Sequence, residues 1–326
     1  MTALINNSFL FADIGGTYVR MAQGTSSSPD LTLVQKYLRS EFSGLEELLR
    51  DYLQRHPMTG AVSACFAVAA PVSAEEPADQ IVMTNCAWQF SVAQLKREFG
   101  WQDLVILNDF EAVALALPHL PDSQLVQLGG KCVNLQGSIA VLGPGTGLGV
   151  KHLIPTVEGY RVLSGEGGHV DFAPVDEQDQ IIWRYIRERK SRVSLEEVLS
   201  GRGLVHIYQA LAEARGVLAN LTDPAGIVFA AQHDNCTLSK ESLQQFCRIL
   251  GSCAGNLALT LNTTGGVYLC GGVLTKLGAV LADSEFRIRF ESKGRFTGYV
   301  KDIPAFLITA SEPGLRGALT YLQNRR

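Results

Sequence analysis

The chain has 326 residues, 46% of them hydrophobic, which is enough for two domains or one large one with a sizeable core. A formal net charge of -4 with no basic run argues against a nucleic-acid surface, and no apolar stretch reaches the length of a membrane span. The seven cysteines are odd in number, scattered and free of any CxxC pair, and the N-terminus lacks the basic start and long apolar region of a signal peptide; this pattern fits a reducing cytoplasm, and neither a disulfide framework nor a structural zinc site.

Taken in order, residues 9–12 predict a strand that runs into Asp13-Ile14-Gly15-Gly16-Thr17, and residues 18–22 a second strand. Two glycines let the turn adopt positive φ and let another group approach its amides, so the hairpin suits a phosphate, with the Thr17 hydroxyl as a further donor. Asp13 is placed to hold Mg²⁺ through water, because magnesium keeps its waters and takes few carboxylates. A plain Gly-containing β-turn explains the same residues. The spacing of Leu45, Leu48, Leu49, Tyr52 and Leu53 predicts an amphipathic helix over 43–55. Residues 61–69 predict a buried strand ending at Pro71, 73–80 a polar loop, 81–85 a short strand, and Ser91 the cap of a helix over 92–99.

Leu104-Val105-Ile106-Leu107 predicts a strand buried on both faces, with Asn108 and Asp109 at its carboxyl end and a helix over 112–117 that stops at Pro118. Ligands bind at that end of strands in open α/β sheets, and a carboxylate fixed between strand and helix can be held rigidly, as a general base must be. An Asn-Asp pair at a helix start also serves simply as a cap.

Residues 138–142 predict a strand, Gly143-Pro144-Gly145-Thr146-Gly147-Leu148-Gly149 a turn and 150–154 another strand, which repeats the Asp13 hairpin. Two such hairpins suggest two similar domains facing a nucleotide. The loop Ser164-Gly165-Glu166-Gly167-Gly168-His169-Val170-Asp171-Phe172 presents Glu166 and His169 together, both able to bond hydroxyls, with Asp171 read as structural. Ser194 is expected to cap a helix over 195–199 stopped by Ser200-Gly201, and Glu196 by itself reads as part of a solvated first turn. Further helices are expected over 205–214 and from Ser239 to 261, then a buried strand over 267–270. The turn Gly271-Gly272-Val273 leaves room for a flat nucleoside, or else simply starts a helix. A strand over 305–309 and a helix over 314–323 close the chain.

These motifs, Asp13 to Thr17, Leu107-Asn108-Asp109-Phe110, Gly143 to Gly149, Gly165 to Asp171 and Gly271 to Val273, resemble in order and spacing the bacterial glucokinases, the non-repressor group of the actin-like sugar kinase superfamily, over nearly the whole chain. The resemblance implies an α/β fold of two actin-like (ribonuclease H-like) domains, with mixed sheets flanked by helices and an interdomain cleft. It implies a small domain of residues 1–119 plus 309–326 and a large one of 120–308. It implies transfer of the γ-phosphate of ATP, with Mg²⁺, to the 6-hydroxyl of glucose at the entry to glycolysis, by a cytoplasmic homodimer that needs neither nucleic acid nor membrane. Position by position, Asp109 resembles the catalytic base, and Asn108, Asp109, Glu166, His169 and Glu196 the sugar-binding set. Asp13, Gly15, Gly16 and Thr17 resemble the first phosphate loop, Gly145, Thr146 and Gly147 the second, and Gly271 and Gly272 the adenosine site. Tyr18 stands where family members usually carry Asn, Pro144 replaces a small residue, and the 73–80 loop looks longer than usual. A kinase for another hexose or amino sugar would share the phosphate loops. A sugar sensor without catalysis would have no need of Asp109.

Overall fold

Alternation of apolar residues along the N-terminal strands covers both faces of a five-stranded sheet. The computed structural model describes residues 7–70, 72, 78–83, 87–157 and 159–325. The polar loop expected over 73–80 and the strand expected over 81–85 fall partly outside these residues. The chain divides into two units, Met1–Leu120 with Ala310–Arg326, and Pro121–Thr309.

In the first unit β1 (Ser8–Ile14), β2 (Tyr18–Thr25), β3 (Thr32–Leu38), β4 (Val62–Val68) and β7 (Asp103–Asn108) form one sheet in the order β3-β2-β1-β4-β7, and β5 (Gln80–Val82) pairs with β6 (Gln89–Ser91). β1, β4 and β7 run parallel, with Ile14, Val68 and Asn108 in register, while β1-β2-β3 is an antiparallel meander. The period of two sends Leu10, Ala12, Ala64, Phe66 and Leu104 to one core, packed with Leu45, Leu48, Leu49 and Tyr52 of α1 (Leu45–Arg55) and Leu95 of α2 (Val92–Glu98). It sends Phe9, Phe11, Cys65, Ala67 and Leu107 to a second core, packed with α3 (Asp109–Ala116) and the closing helix Pro313–Asn324. The expectation that the 104–107 strand is buried on both faces holds in part, since Leu104 and Leu107 enter the two different cores. β7 is the sheet edge, so Leu104 and Leu107 are buried while Val105 and Ile106 are only half-buried.

The second unit repeats the plan. β11 (Gly159–Leu163), β10 (Leu148–Thr156) and β9 (Ile139–Pro144) are antiparallel; β9, β12 (Val267–Leu269) and β13 (Ala305–Ile308) are parallel; β8 (Leu125–Gln127) adds an outer antiparallel strand. The repeat read from the two glycine hairpins is thus a repeat of sheet topology. Around the sheet lie α4 (Glu177–Arg187), α5 (Gly201–Ala214), α6 (Pro224–Gln232), α7 (Thr237–Leu261), α8 (Gly272–Leu277), α9 (Ala279–Ala282), α10 (Phe286–Glu291) and α11 (Thr297–Val300). α7 ends where Asn262 takes the left-handed conformation, φ 50°.

A buried ion-pair network ties three of these helices. Arg289 on α10 donates to Asp179 Oδ2 (2.8 Å) and Asp176 Oδ2 (2.6 Å), Arg248 on α7 also reaches Asp176 Oδ2 (2.6 Å), and Gln245 Nε2 donates to Asp179 Oδ1 (2.5 Å). Burial pushes the Asp176 carboxyl up, but the Asp179 amide and the two guanidiniums hold it below the ordinary carboxylate range. Asp179 is fully buried, so removing it breaks one of the two carboxylate contacts of Arg289, leaving Asp176, and takes the acceptor from Gln245 Nε2 inside the core. Asp179→Ala is expected to lower stability by about 3–5 kcal/mol in urea unfolding; a loss under 1 kcal/mol would show that water replaces the carboxylate.

Candidate active site

In the first unit the parallel strands deliver two carboxylates to one edge of the sheet. Asp13 sits one residue before the Ile14–Val68–Asn108 line and Asp109 one residue after it. Two strand spacings, about 10 Å, separate their backbones across the sheet. Asn108 does cap α3, its Oδ1 accepting from the amides of Phe110 (3.1 Å) and Glu111 (3.2 Å) while Nδ2 donates to Ala70 O (3.2 Å). Capping and function are compatible here, because the cap fixes the first helical residue, Asp109, whose Oδ1 accepts from the Phe110 amide (2.8 Å). Asp109 is half-buried at the positive end of the helix, where a carboxylate is favoured.

The first glycine turn is closed by its own backbone, Gly15 N–H donating to Tyr18 O (3.0 Å). That leaves the amides of Gly16 and Thr17 as the turn's candidates to face an anion. Arg39 braces it from behind: Nε donates to Gly16 O (2.7 Å) and its N–H to Thr17 O (3.0 Å). Arg20 lies 3.5 Å from Asp13 Oδ2, and Lys36 Nζ lies 3.8 Å over the Tyr18 ring. Burial pushes the Asp13 carboxyl above its ordinary value, with Arg20 opposing and Glu312 adding to the rise. A carboxylate whose charge is disfavoured in this way gains from a nearby cation, so Asp13 fits the water-mediated Mg²⁺ role. No group of three or more His, Cys, Asp or Glu side chains is gathered as a direct metal cage among the described residues. Arg20, Lys36 and Arg39 carry no motif by which the sequence would single them out.

The second unit gathers the remaining predicted residues around the β9–β10 turn. Gly145 N–H closes it on Gly147 O (2.8 Å), and Thr146 is exposed at its tip. Gly271, with φ 106°, passes so close that a Cβ there would lie 2.5 Å from Pro144 O, so no other residue fits without a shift. Gly272 opens α8 with nothing within 4 Å of its Cβ position. Here the helix start is observed and the space beside it is open.

Glu196 departs from the expectation of a solvated first turn. Its Oε2 accepts from the Leu148 amide (3.0 Å), its Oε1 is 3.5 Å from Arg202, and a Cβ on Gly147 would meet it at 2.5 Å. The helix expected over 195–199 is a single 3-10 turn, Leu195–Glu197, in which Ser194 makes no side-chain cap. Ser200 starts a helix rather than stopping one. Its hydroxyl accepts from Gly203 N–H (3.0 Å) and donates to Glu196 O (2.7 Å), and Gly201 N–H donates to Gly145 O (2.8 Å). The 196–201 segment is therefore stitched to both sides of the glycine turn. Glu197, which sequence reasoning missed, anchors it through Lys190 (2.9 Å), Arg202 (3.0 Å) and His206 (3.5 Å).

The Glu166–His169 loop packs on the same hairpin. A Cβ at Gly168 would lie 2.1 Å from Leu148 O, and His169 N–H donates to Glu166 O (3.0 Å). Both side chains are exposed, and Glu166 Oε1 lies 3.3 Å from Lys151 Nζ. Asp171 pairs with Arg192 (2.6 Å), which also donates to His169 O (2.7 Å), so its structural reading stands. A polar pocket of about 420 Å³ opens beside the loop, lined by His169, Lys190, Ser191, Arg192, Ser194 and Glu197.

The family described as Glucokinase matches residues 10–325 of the chain. A glucokinase of Cronobacter sakazakii is 43% identical over 314 residues, 96% of each chain. Among solved structures, the glucokinase of an Antarctic psychrotroph superposes with a TM-score of 0.86 at 37% identity, covering 97% of this chain and 99% of that one. A ROK family glucokinase from Streptomyces griseus, solved with glucose and AMPPNP, shares the fold at a TM-score of 0.66 and 18% identity, with 96% and 98% of the two chains covered.

Proposed function

The chain belongs to the glucokinase family and is an ATP-dependent glucose kinase, and on that premise we propose that Asp109 is the general base that directs the 6-hydroxyl of glucose at the γ-phosphate of ATP. The observation that carries this role is the placement of Asp109, capped into the first turn of α3 at the carboxyl edge of the parallel strands. Phosphoryl transfer leaves the protein with positioning and charge neutralisation. Asp109 accepts the hydroxyl proton as the oxygen attacks phosphorus, and ADP leaves with the electron pair of the broken P–O bond.

Glu166, His169, Glu196 and Asn108 hold the sugar hydroxyls. For Asn108 the contact falls to its second Nδ2 hydrogen, since Oδ1 serves the cap and the first goes to Ala70 O. For Glu196 it falls to Oε1, since Oε2 serves Leu148. Amides of Gly16, Thr17, Thr146 and Gly147 face the phosphates, with Gly15 and Gly145 closing the turns behind them, and Gly271 and Gly272 make room for the adenosine. Asp13 would hold Mg²⁺ through water, and the ion would when bound supply charge neutralisation on the phosphates. The reaction is assigned to the cytoplasm, in keeping with the free Cys65, Cys132, Cys236, Cys247, Cys253 and Cys270, and to a homodimer on the family resemblance.

The test is Glu196→Gln, which keeps the side chain's size and an acceptor for Leu148. The glucose KM is expected to rise about tenfold or more, as when a hydrogen bond to a charged group is lost. A KM within twofold of the parent would remove Glu196 from the sugar set.

A further inference from the structure

Lys151 is the one lysine among the described residues that the fold buries almost completely, at 4% exposure. It sits on β10, three residues beyond Leu148, and its ammonium leaves the strand toward the Gly165–His169 loop. Nζ donates to Gly165 O at 2.9 Å and to Glu166 Oε1 at 3.3 Å. A buried ammonium must be matched by a carboxylate and by hydrogen bonds, or it would not stay charged at that depth. Here Glu166 supplies the carboxylate and Gly165 the backbone acceptor, and Glu166 presents the rest of its carboxylate outward, with a side chain 64% exposed. An exposed Glu has three free torsions, and losing that freedom on sugar binding weakens affinity. A buried cation anchoring one oxygen removes much of that loss in advance and leaves the other oxygen facing out. The same ammonium pins Gly165 O, so loop backbone and carboxylate are set by a single group.

We infer that Lys151 is a positioning residue for glucose recognition, clamping Glu166 in the conformation that receives a sugar hydroxyl. This rests on the assignment of Glu166 to the sugar set. Lys151 itself acts through Glu166 and does not touch the sugar.

The experiment compares Lys151→Met, Glu166→Ala and the double variant in steady-state kinetics on glucose and ATP, with thermal unfolding alongside. Lys151→Met, which keeps the length but not the charge, is expected to raise the glucose KM about tenfold, a typical loss for one charge-assisted bond. The kcat is expected to stay within threefold and the ATP KM within twofold. On the Glu166→Ala background the same change is expected to add less than twofold, because the carboxylate it orients is gone. Lys151→Gln, smaller and neutral, gives the same reading if the Met variant does not fold. A glucose KM within twofold of the parent in a folded Lys151 variant, or a full tenfold effect persisting without Glu166, would overturn the inference. Glu166→Ala leaving the glucose KM within twofold would instead overturn the sugar role of Glu166.

Discussion

Asp109→Asn is expected to lower kcat on glucose about a thousandfold while the glucose dissociation constant stays within threefold of the parent. General base catalysis contributes about 10²–10⁴ to a rate, and the upper half of that range applies where the base also aligns the nucleophile. The Asn side chain keeps an oxygen for the Phe110 amide, so the start of α3 survives the exchange. What it loses is the ability to take a proton. Binding is retained because the hydroxyl remains a hydrogen-bond partner for the amide. Stopped assays of the variant with titration of glucose by calorimetry separate the two effects. Turnover within tenfold of the parent would remove Asp109 as the base.

The second large effect lies behind that residue. The closing helix crosses α3 at Gly317, where a Cβ would lie 1.6 Å from Ala112 O. The contact is to backbone, so no side-chain rotation relieves it. Gly317→Ala forces the helices apart or bends α3, and Ala112 stands three residues after Asp109 on that helix. Overpacking of a tight core contact typically costs about 1–3 kcal/mol, and a clash with a carbonyl belongs at the upper end. The unfolding midpoint is expected to fall by roughly 6–12 °C, with a lowered kcat at temperatures where the variant is still folded. A midpoint within 1 °C of the parent would mean that the two helices separate freely.

The parts of the fold legible in the sequence are those where burial writes a pattern. The apolar runs of β4, β9 and β12 are buried along their length, and the amphipathic spacing of α1 faces one core. The two glycine turns are legible as Gly-Thr breaks between apolar runs, although none of Gly15, Gly16, Gly145 and Gly147 takes the positive φ that the sequence suggests. Strands β3 and β11 are not legible, because they lie at sheet edges where β3 buries a single residue and β11 none, so no buried run marks them. Helix α4 does carry a signal: Asp176 accepts from Asp179 N–H at its cap, and Ile182 and Ile186 recur four apart. The Ser194 and Ser200 ends are not legible because either serine can cap, and what separates them is the docking of the segment on the glycine turn, Leu148 N–H to Glu196 and Gly201 N–H to Gly145 O, which only tertiary structure supplies.

The candidate site divides in the same way. Asn108 and Asp109 are legible as a strand-to-helix junction, and Gly165 to His169 as a forced loop. Glu196 is not, since its environment is the Leu148 amide, 48 residues away in sequence. Lys151, Arg39 and Glu197 act through partners that no local spacing announces. A residue that positions another leaves its mark in packing rather than in a motif.

The most direct measurement is coupled phosphorylation of glucose with Mg-ATP, with mannose, galactose and N-acetylglucosamine assayed in parallel. A polar set that reads several hydroxyls leaves a partner unpaired when one is missing or inverted. The expected result is a kcat/KM for glucose at least a hundredfold above each rival. Equal kcat/KM on galactose or N-acetylglucosamine, or glucose binding without turnover, would contradict the account.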